Sequence, residues 1–409
     1  MKKYDFETSL DRRNTSSTKW NIKKDEISLS LADMDFKVAS EIEEDLKKVI
    51  SFPIYGYVDI SEEWYCAYQK YFLDEYDLKI EKEEMMFSLG VVPSISSSVR
   101  KFTDVGDNIV VISPVYNIFY NSIVNNFRNV IEVPLLRKED EFFIDFPSLE
   151  EAFKDEKTKM IIFCNPANPV GKIWSKEEMQ KLGELAKKYD VLVLSDEIHG
   201  FITRTGKKYI PFFSVSEINR DISLTCLSVT KAFNLAGIHT SCIFAFNKDI
   251  YKKINRQINT DEVAEPNILS CTAAVSALTK GKDWLYQMRE EVFKNKDYVT
   301  SYINSNIKPL HCINGDATYL LFIDYSKIRR DGKDFVKFIR DKTGLVLSDG
   351  KIFGKGGENY FRMNVACPFS TVEDALNRLK RGVDLYLTIC SFFLFILFDT
   401  LFITQFIFV

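Results

Sequence analysis

The chain has 409 residues, 46% of them apolar and 27% charged, with a net charge of −4. That composition excludes a disordered chain, a collagen-like repeat and a small disulfide scaffold, and the acidic balance argues against a broad nucleic-acid footprint. The three histidines, His199, His239 and His311, are too scattered in sequence to suggest a multi-histidine metal site.

At roughly 150 residues per domain the length predicts two or three domains. The N-terminus, MKKYDFETSLDRR, has no apolar core of a secretory signal. None of the eight cysteines forms a CxxC pair, so they read as free thiols in a reducing compartment. The expected setting is cytoplasmic.

Residues 1–45 form an arm too short to be a domain, expected to pack with the C-terminal part. From about 46 to 280, short apolar runs at 108–112, 130–133, 160–164, 191–195, 223–228 and 241–246 are separated by amphipathic stretches. One of these, 175–189, opens on Ser175 with Glu178 three residues on, a capping box. Apolar runs alternating with helices predict an α/β fold, a mainly parallel sheet covered by helices on both faces. A long helical stretch at 282–306 follows. Then come a strand at 319–323, a helix at 333–341, a strand at 360–365 and a last helix at 371–387. This α+β pattern predicts a smaller C-terminal domain over 281–388.

Residues 385–409 differ from the rest: 19 of the 25 are apolar and Asp399 is the one charge. Seven of the chain's 33 Phe lie in the last 18 residues. The stretch is long enough to cross a bilayer, which takes about 20 residues. It reads as a membrane anchor, as a final helix with a sticky extension, or as an accident of reading frame in an AT-rich gene. The extension or the accident is favoured, with 389–409 outside the catalytic fold.

Four segments carry the chemistry. Asn165-Pro166-Ala167-Asn168-Pro169-Val170-Gly171 follows the run 160–164 and forces a turn at a strand's carboxyl end, where α/β sheets bind ligands. By itself it is equally well just a turn. Ser195-Asp196-Glu197-Ile198-His199 sets an acid at the end of a buried strand. Such an acid needs a cationic partner or backbone donors. Ser228-Val229-Thr230-Lys231 sets a lysine after a β run, and a buried amine titrates low enough to react with an aldehyde. Phe361-Arg362-Met363-Asn364 sets an arginine among apolar neighbours, where it calls for a carboxylate.

In this order and spacing the four segments resemble the pyridoxal-phosphate enzymes of fold type I, the class I/II aminotransferase superfamily, over nearly all of residues 1–388. Asp11-Arg12, Thr18-Lys19-Trp20-Asn21, Ala32-Asp33-Met34-Asp35-Phe36, Tyr55-Gly56-Tyr57 and the Phe233-Asn234-Leu235-Ala236-Gly237 run look like the MalY/PatB-type cystathionine β-lyases. The resemblance implies pyridoxal 5′-phosphate as cofactor and Lys231 as the Schiff-base lysine and acid/base. Asp196 would pair with the ring nitrogen, Asn168 would bond the ring oxygen, and Tyr116 would stack on the ring. His199 stands where many aminotransferases have a tyrosine and is carried as cofactor-binding; its plainer reading is a packed histidine. Gly90, Val91 and Val92 open a helix whose amides suit the phosphate, and Ser228 and Thr230 add hydroxyls. His239 replaces the usual phosphate-binding arginine. Arg362 would grip the substrate carboxylate. Tyr57 would be donated to the cofactor and substrate of the neighbouring subunit in a homodimer. The glycines at 354, 356 and 357 read as a mobile loop rather than a nucleotide loop.

The implied reaction is carbon–sulfur β-elimination from L-cystathionine or cysteine-type thioethers, giving thiol, pyruvate and ammonia. An aminotransferase shares every cofactor residue and is the alternative. A regulatory binding protein on the same scaffold is the third reading. The partner is a small sulfur-containing amino acid, with no nucleic acid, and with a membrane only if 389–409 is an anchor.

Overall fold

The computed structural model describes residues 4–328 and 334–405, with side chains to residue 389. Seven strands form the large sheet: β1 (Met85–Ser88), β2 (Asn108–Ser113), β3 (Asn129–Pro134), β4 (Thr158–Cys164), β5 (Leu192–Asp196), β6 (Ser223–Leu227) and β7 (Ser241–Phe244). Their spatial order is β1-β7-β6-β5-β4-β2-β3. Every neighbouring pair among β2 to β6 is parallel, and β7 runs antiparallel to both β1 and β6. The expected mainly parallel sheet is therefore present, with one reversed strand.

The strands are apolar throughout because both faces are covered. Ile109 and Val111 of β2 pack with Ile95 and Val99 of the helix Val91–Phe102. Val110 and Ile112 point the other way, toward Leu149 and Leu182 of the helices Phe146–Lys154 and Lys176–Lys188. The second of these helices starts where the capping box predicts: Glu178 N–H donates to Ser175 Oγ, and Ser175 N–H donates to Glu178 Oε2.

A second sheet is antiparallel, with β8 (His311–Ile313), β9 (Leu320–Asp324), β10 (Ser348–Asp349) and β11 (Tyr360–Asn364) in the order β8-β9-β11-β10. The helix Lys282–Asn306 serves both cores. Its Trp284, Met288 and Val292 pack with Trp64 and Phe233, while Val299 and Ile303 pack with Leu321 and Phe361. The arm pairs with the small-sheet side through Ile27–Ser28, parallel to Leu345–Val346. It also reaches the other core, where Phe6, Met34 and Phe36 pack beside Trp64 and Trp284.

The glycine run after the 3-10 turn Gly350–Phe353 is anchored rather than free. Tyr120 Oη donates to the Phe353 carbonyl and Lys355 N–H to Glu132 Oε2. A side chain at Gly354, where φ is +88°, would collide with Tyr120. The last helix, Phe369–Gln405, buries Leu379, Val383 and Tyr386 in the second core. Among the described residues no helix is long and apolar enough to cross a membrane. The side chains of residues 390–409 lie outside the described residues.

Candidate active site

The strand order reverses beside β2, whose partners are β3 on one side and β4 on the other. α/β sheets bind ligands at the carboxyl ends of strands next to such a switch. Five of the expected residues follow carboxyl ends on this one edge: Gly90 after β1, Tyr116 after β2, Asn168 after β4, Asp196 closing β5 and Lys231 after β6. They line a cavity of about 240 Å³, joined by Val91, Val92, His199 and Thr230.

Desolvation dominates the electrostatics there. Burial pushes the Asp196 carboxyl up to about 7, opposed by the Ile198 N–H that donates to Oδ1 at 3.0 Å and by the charge of Lys231. Burial lowers the Lys231 amine, with Asp33 pulling it back up. Its Nζ donates to the Ala32 carbonyl at 2.6 Å. His199 is driven down to about 3 by burial and by the charges of Lys231 and Arg362, and so is neutral. Its Nδ1 is buried without a partner among the described residues.

The Asp196-Glu197 pair divides its labour by strand alternation. Glu197 turns away from the cavity and accepts from Ser195 Oγ, Asn165 Nδ2 and Phe212 N–H at 2.8–3.2 Å. It thereby ties the Asn-Pro loop to the end of β5. Gly171 closes that loop at φ +71°, and a Cβ there would sit 2.9 Å from the Ala317 carbonyl.

Arg362 is buried on β11 and does not line the cavity itself. Its Nη1 donates to Asn168 Oδ1 at 3.2 Å and its Nη2 to the Ser30 carbonyl at 2.9 Å. The bond from Nη1 turns the Asn168 oxygen toward the arginine and leaves the amide nitrogen as donor. Burial lowers the guanidinium to about 10.

Three expected residues do not line the cavity: Arg362, Ser228 and Tyr57. Ser228 lies behind Thr230, donating to the Thr240 carbonyl at 2.6 Å and 2.7 Å from Thr230 Oγ1. Tyr57 is fully exposed and outside the lining of its own chain's cavity.

Two features escape the sequence reading. Thr240 lines the cavity, and its hydroxyl is buried without a partner among the described residues. It reaches this edge because β7 is antiparallel, so the residue before the strand, not after it, stands here. The same reversal brings in His239, the residue expected in place of the phosphate-binding arginine, at φ +59°. The second feature is the arm segment that carries Ala32. Asn364 Nδ2 donates to the carbonyls of Leu31 and Asp33, and Asn234 Nδ2 to those of Met34 and Phe36. The Asp-Met-Asp-Phe motif marks the segment, but nothing local says that it folds against the lysine.

The donor set fits pyridoxal phosphate. The amides opening the helix Val91–Phe102, with the Thr230 and Thr240 hydroxyls, suit a phosphate. A buried carboxylate with one backbone bond suits a protonated ring nitrogen, and a desolvated amine suits an aldehyde.

Known proteins resemble this chain over nearly its whole length. Residues 25–379 match the family described as aminotransferase class I and II. Cystathionine beta-lyase PatB of Bacillus subtilis is 32% identical, over 93% of this chain and 100% of its own. Cystalysin from Treponema denticola, whose crystal structure contains a pyridoxal 5′-phosphate cofactor, superposes with a TM-score of 0.90 at 32% identity, covering 93% of this chain and 99% of its own. The PLP-bound C-S lyase from Staphylococcus hominis gives 0.87 at 28% identity, covering 93% and 99%.

Proposed function

Since the chain belongs to the aminotransferase class I and II family, we propose that it is a pyridoxal-phosphate-dependent carbon–sulfur β-lyase acting on L-cystathionine or related cysteine thioethers. The observation that carries this reading is the cavity in which Lys231, Asp196, Asn168 and Tyr116 converge from four strand ends. Relatives that cover almost all of the chain and are named cystathionine beta-lyase and C-S lyase support it.

The cofactor, when bound, supplies an aldehyde for the substrate amine and a cationic ring that takes up the electron pair left by the α-proton. Asp196 holds the proton on the ring nitrogen, and its buried carboxylate gains from that cation. Lys231 is the acid/base. Burial lowers its amine, so that a neutral base is available to take the α-proton. Asn168 offers its amide to the ring oxygen, Tyr116 its ring face, and Arg362 grips the α-carboxylate. The Cβ–S bond then breaks and the thiol leaves. L-cystathionine and water give homocysteine, pyruvate and ammonia.

The working unit in this reading is a homodimer in which Tyr57 completes the neighbour's site. Ile50, Phe52, Ile54, Tyr55 and Tyr57 form an exposed apolar run that supports it. The catalytic fold is divided at about residue 280 and ends at 388, with 389–409 outside it. Seven free cysteines among the described residues fit a reducing, cytoplasmic setting.

The test is pyruvate release from L-cystathionine with no keto acid present. The wild type should turn over continuously, and Lys231→Ala should lose about 10²–10⁴-fold or more. A single half-reaction that stalls until a keto acid is added would identify an aminotransferase instead. Pyruvate release that survives Lys231→Ala would sink the assignment.

A further inference from the structure

Tyr319 directly precedes β9 and is completely buried, yet its hydroxyl has no partner among the described residues. A buried hydroxyl left unpaired is costly and is rarely kept without a use. The backbone that aims it is strained. Thr318 is β-branched and sits at φ +62°, a region such residues seldom enter. Strain of this kind persists where the surroundings over-determine it, and it gathers at functional sites.

The surroundings here do over-determine it. Lys296, buried in the helix Lys282–Asn306, donates from Nζ to the carbonyls of Gly315, Ala317 and Thr318 at 2.7, 2.9 and 3.2 Å. Three acceptors use all three donors of an ammonium. Thr318 N–H donates to the Ile202 carbonyl at 2.8 Å, and Ala317 N–H to the Gly171 carbonyl at 2.9 Å. The turn before Tyr319 is thus fastened to the loop that carries His199 and to the loop that carries Asn168.

The result sets the Tyr319 ring edge-on to His199, with centroids 6.2 Å apart. It also sets the phenol within electrostatic reach of Arg362 and Tyr116. Arg362 has an unspent donor of its own. Nη1 and Nη2 are bonded to Asn168 and Ser30, while Nε is buried with no partner among the described residues. Two buried donors, a phenol O–H and a guanidinium N–H, therefore stand behind the cavity lining, the first against His199 and the second against Asn168. A carboxylate has two oxygens and only acceptor sites, and it answers both donors.

We propose that Tyr319 is a substrate-binding residue whose hydroxyl donates to the substrate α-carboxylate alongside Arg362. The assignment rests on the lyase reading above, because it needs an amino acid in this cavity.

The experiment uses the full chain loaded with pyridoxal phosphate. L-alanine and ethylamine, the same amine without its carboxylate, are titrated while the absorbance of the bound cofactor is followed. Neither has a leaving group at Cβ. Tyr319→Phe should weaken L-alanine by about ten-fold or more and leave ethylamine within about two-fold, as for a lost bond to a charged group. The melting temperature of the unloaded Tyr319→Phe chain should not fall, since an unpaired hydroxyl has been removed. Equal weakening of both ligands, or no change in either, would overturn the assignment and leave the lyase reading intact. A wild type whose absorbance responds to neither amine would overturn the cofactor reading, and this assignment with it.

Discussion

Two regions of this molecule bury charges and handle them in opposite ways. In the arm they are paired with each other. Lys19 Nζ lies 2.7 Å from Asp35 Oδ2 with its side chain fully buried, and Trp20 Nε1 donates to the other oxygen at 2.8 Å. Glu26 takes Arg340 Nε and Nη2 on its two oxygens at 2.9 and 3.0 Å. At the cavity the charges are left without such partners. Asp196 accepts one backbone N–H, Lys231 donates to one carbonyl, and Arg362, behind the lining, meets no carboxylate among the described residues. The pKa values divide in the same way: the Arg340 hydrogen bonds drive Glu26 down to about 2, while desolvation drives Asp196 up to about 7. In the arm the buried charges meet each other and serve the fold; at the cavity they are left for a ligand.

The sharpest break of this comparison is Asp196→Asn. Turnover should fall by about 10²–10³-fold, the usual scale for removing an electrostatic partner of the reacting group. The unloaded chain should be no less stable, because the change removes a desolvated charge. Its pH behaviour adds a second readout. With the Asp196 pKa raised, the stability its protonated form contributes is present below the ordinary carboxylate range and is lost as pH rises through about 7. A cation bound beside the carboxylate abolishes that loss. The melting-temperature gap between loaded and unloaded protein should therefore widen from acid to alkaline pH in the wild type and widen less in Asp196→Asn. Glu197, also near 7, is present in both proteins and cancels in the comparison.

In the arm the expected result is the reverse. Lys19→Met strands Asp35 in the interior and should cost about 3 kcal/mol in urea unfolding. Arg12 Nη1, 3.5 Å from Asp35, keeps the loss from being larger. A neutral Lys19→Met together with a destabilising Asp196→Asn would refute the division between the two regions.

Glu26→Gln should have the smallest effect, about 1 kcal/mol, since its partner Arg340 is half exposed and screened. Here the folded pKa is lowered. The pair's contribution is present above the ordinary glutamate value and is lost as pH falls toward about 2. An acid-unfolding titration should show a shallower acid limb in Glu26→Gln, and an unchanged limb would show that the pair adds nothing.

Much of the molecule was legible in the chain. The runs at 108–112, 130–133 and 160–164 became β2, β3 and β4, extended by a residue or two at their ends, and 282–306 is a helix over that span. Strand and helix periodicity and the capping box are local, so the sequence displays them. The short strands Ile27–Ser28 and Leu345–Val346 were not legible, because they exist only as each other's partners. Lys231, Asp196 and Asn168 were found because turn motifs after strands mark carboxyl ends, and Tyr116 through the family resemblance. Thr240 was missed because its strand runs the other way, a fact set by β1 and β6 and not by the residues of β7. Lys296, Thr318 and Tyr319 carry no motif: a lysine in an amphipathic helix reads as solvated, and only packing shows its three carbonyl partners.

By itself the sequence determined which segments become strands and helices, and which side chains stand at the strand ends. Those follow from periodicity, turn chemistry and the spacing of short motifs. The tertiary structure alone decided which buried charges meet a partner and which do not. That depends on residues hundreds of positions apart, such as Lys231 with Ala32 and Arg362 with Asn168. Desolvation acts on a charge only once other elements have closed around it.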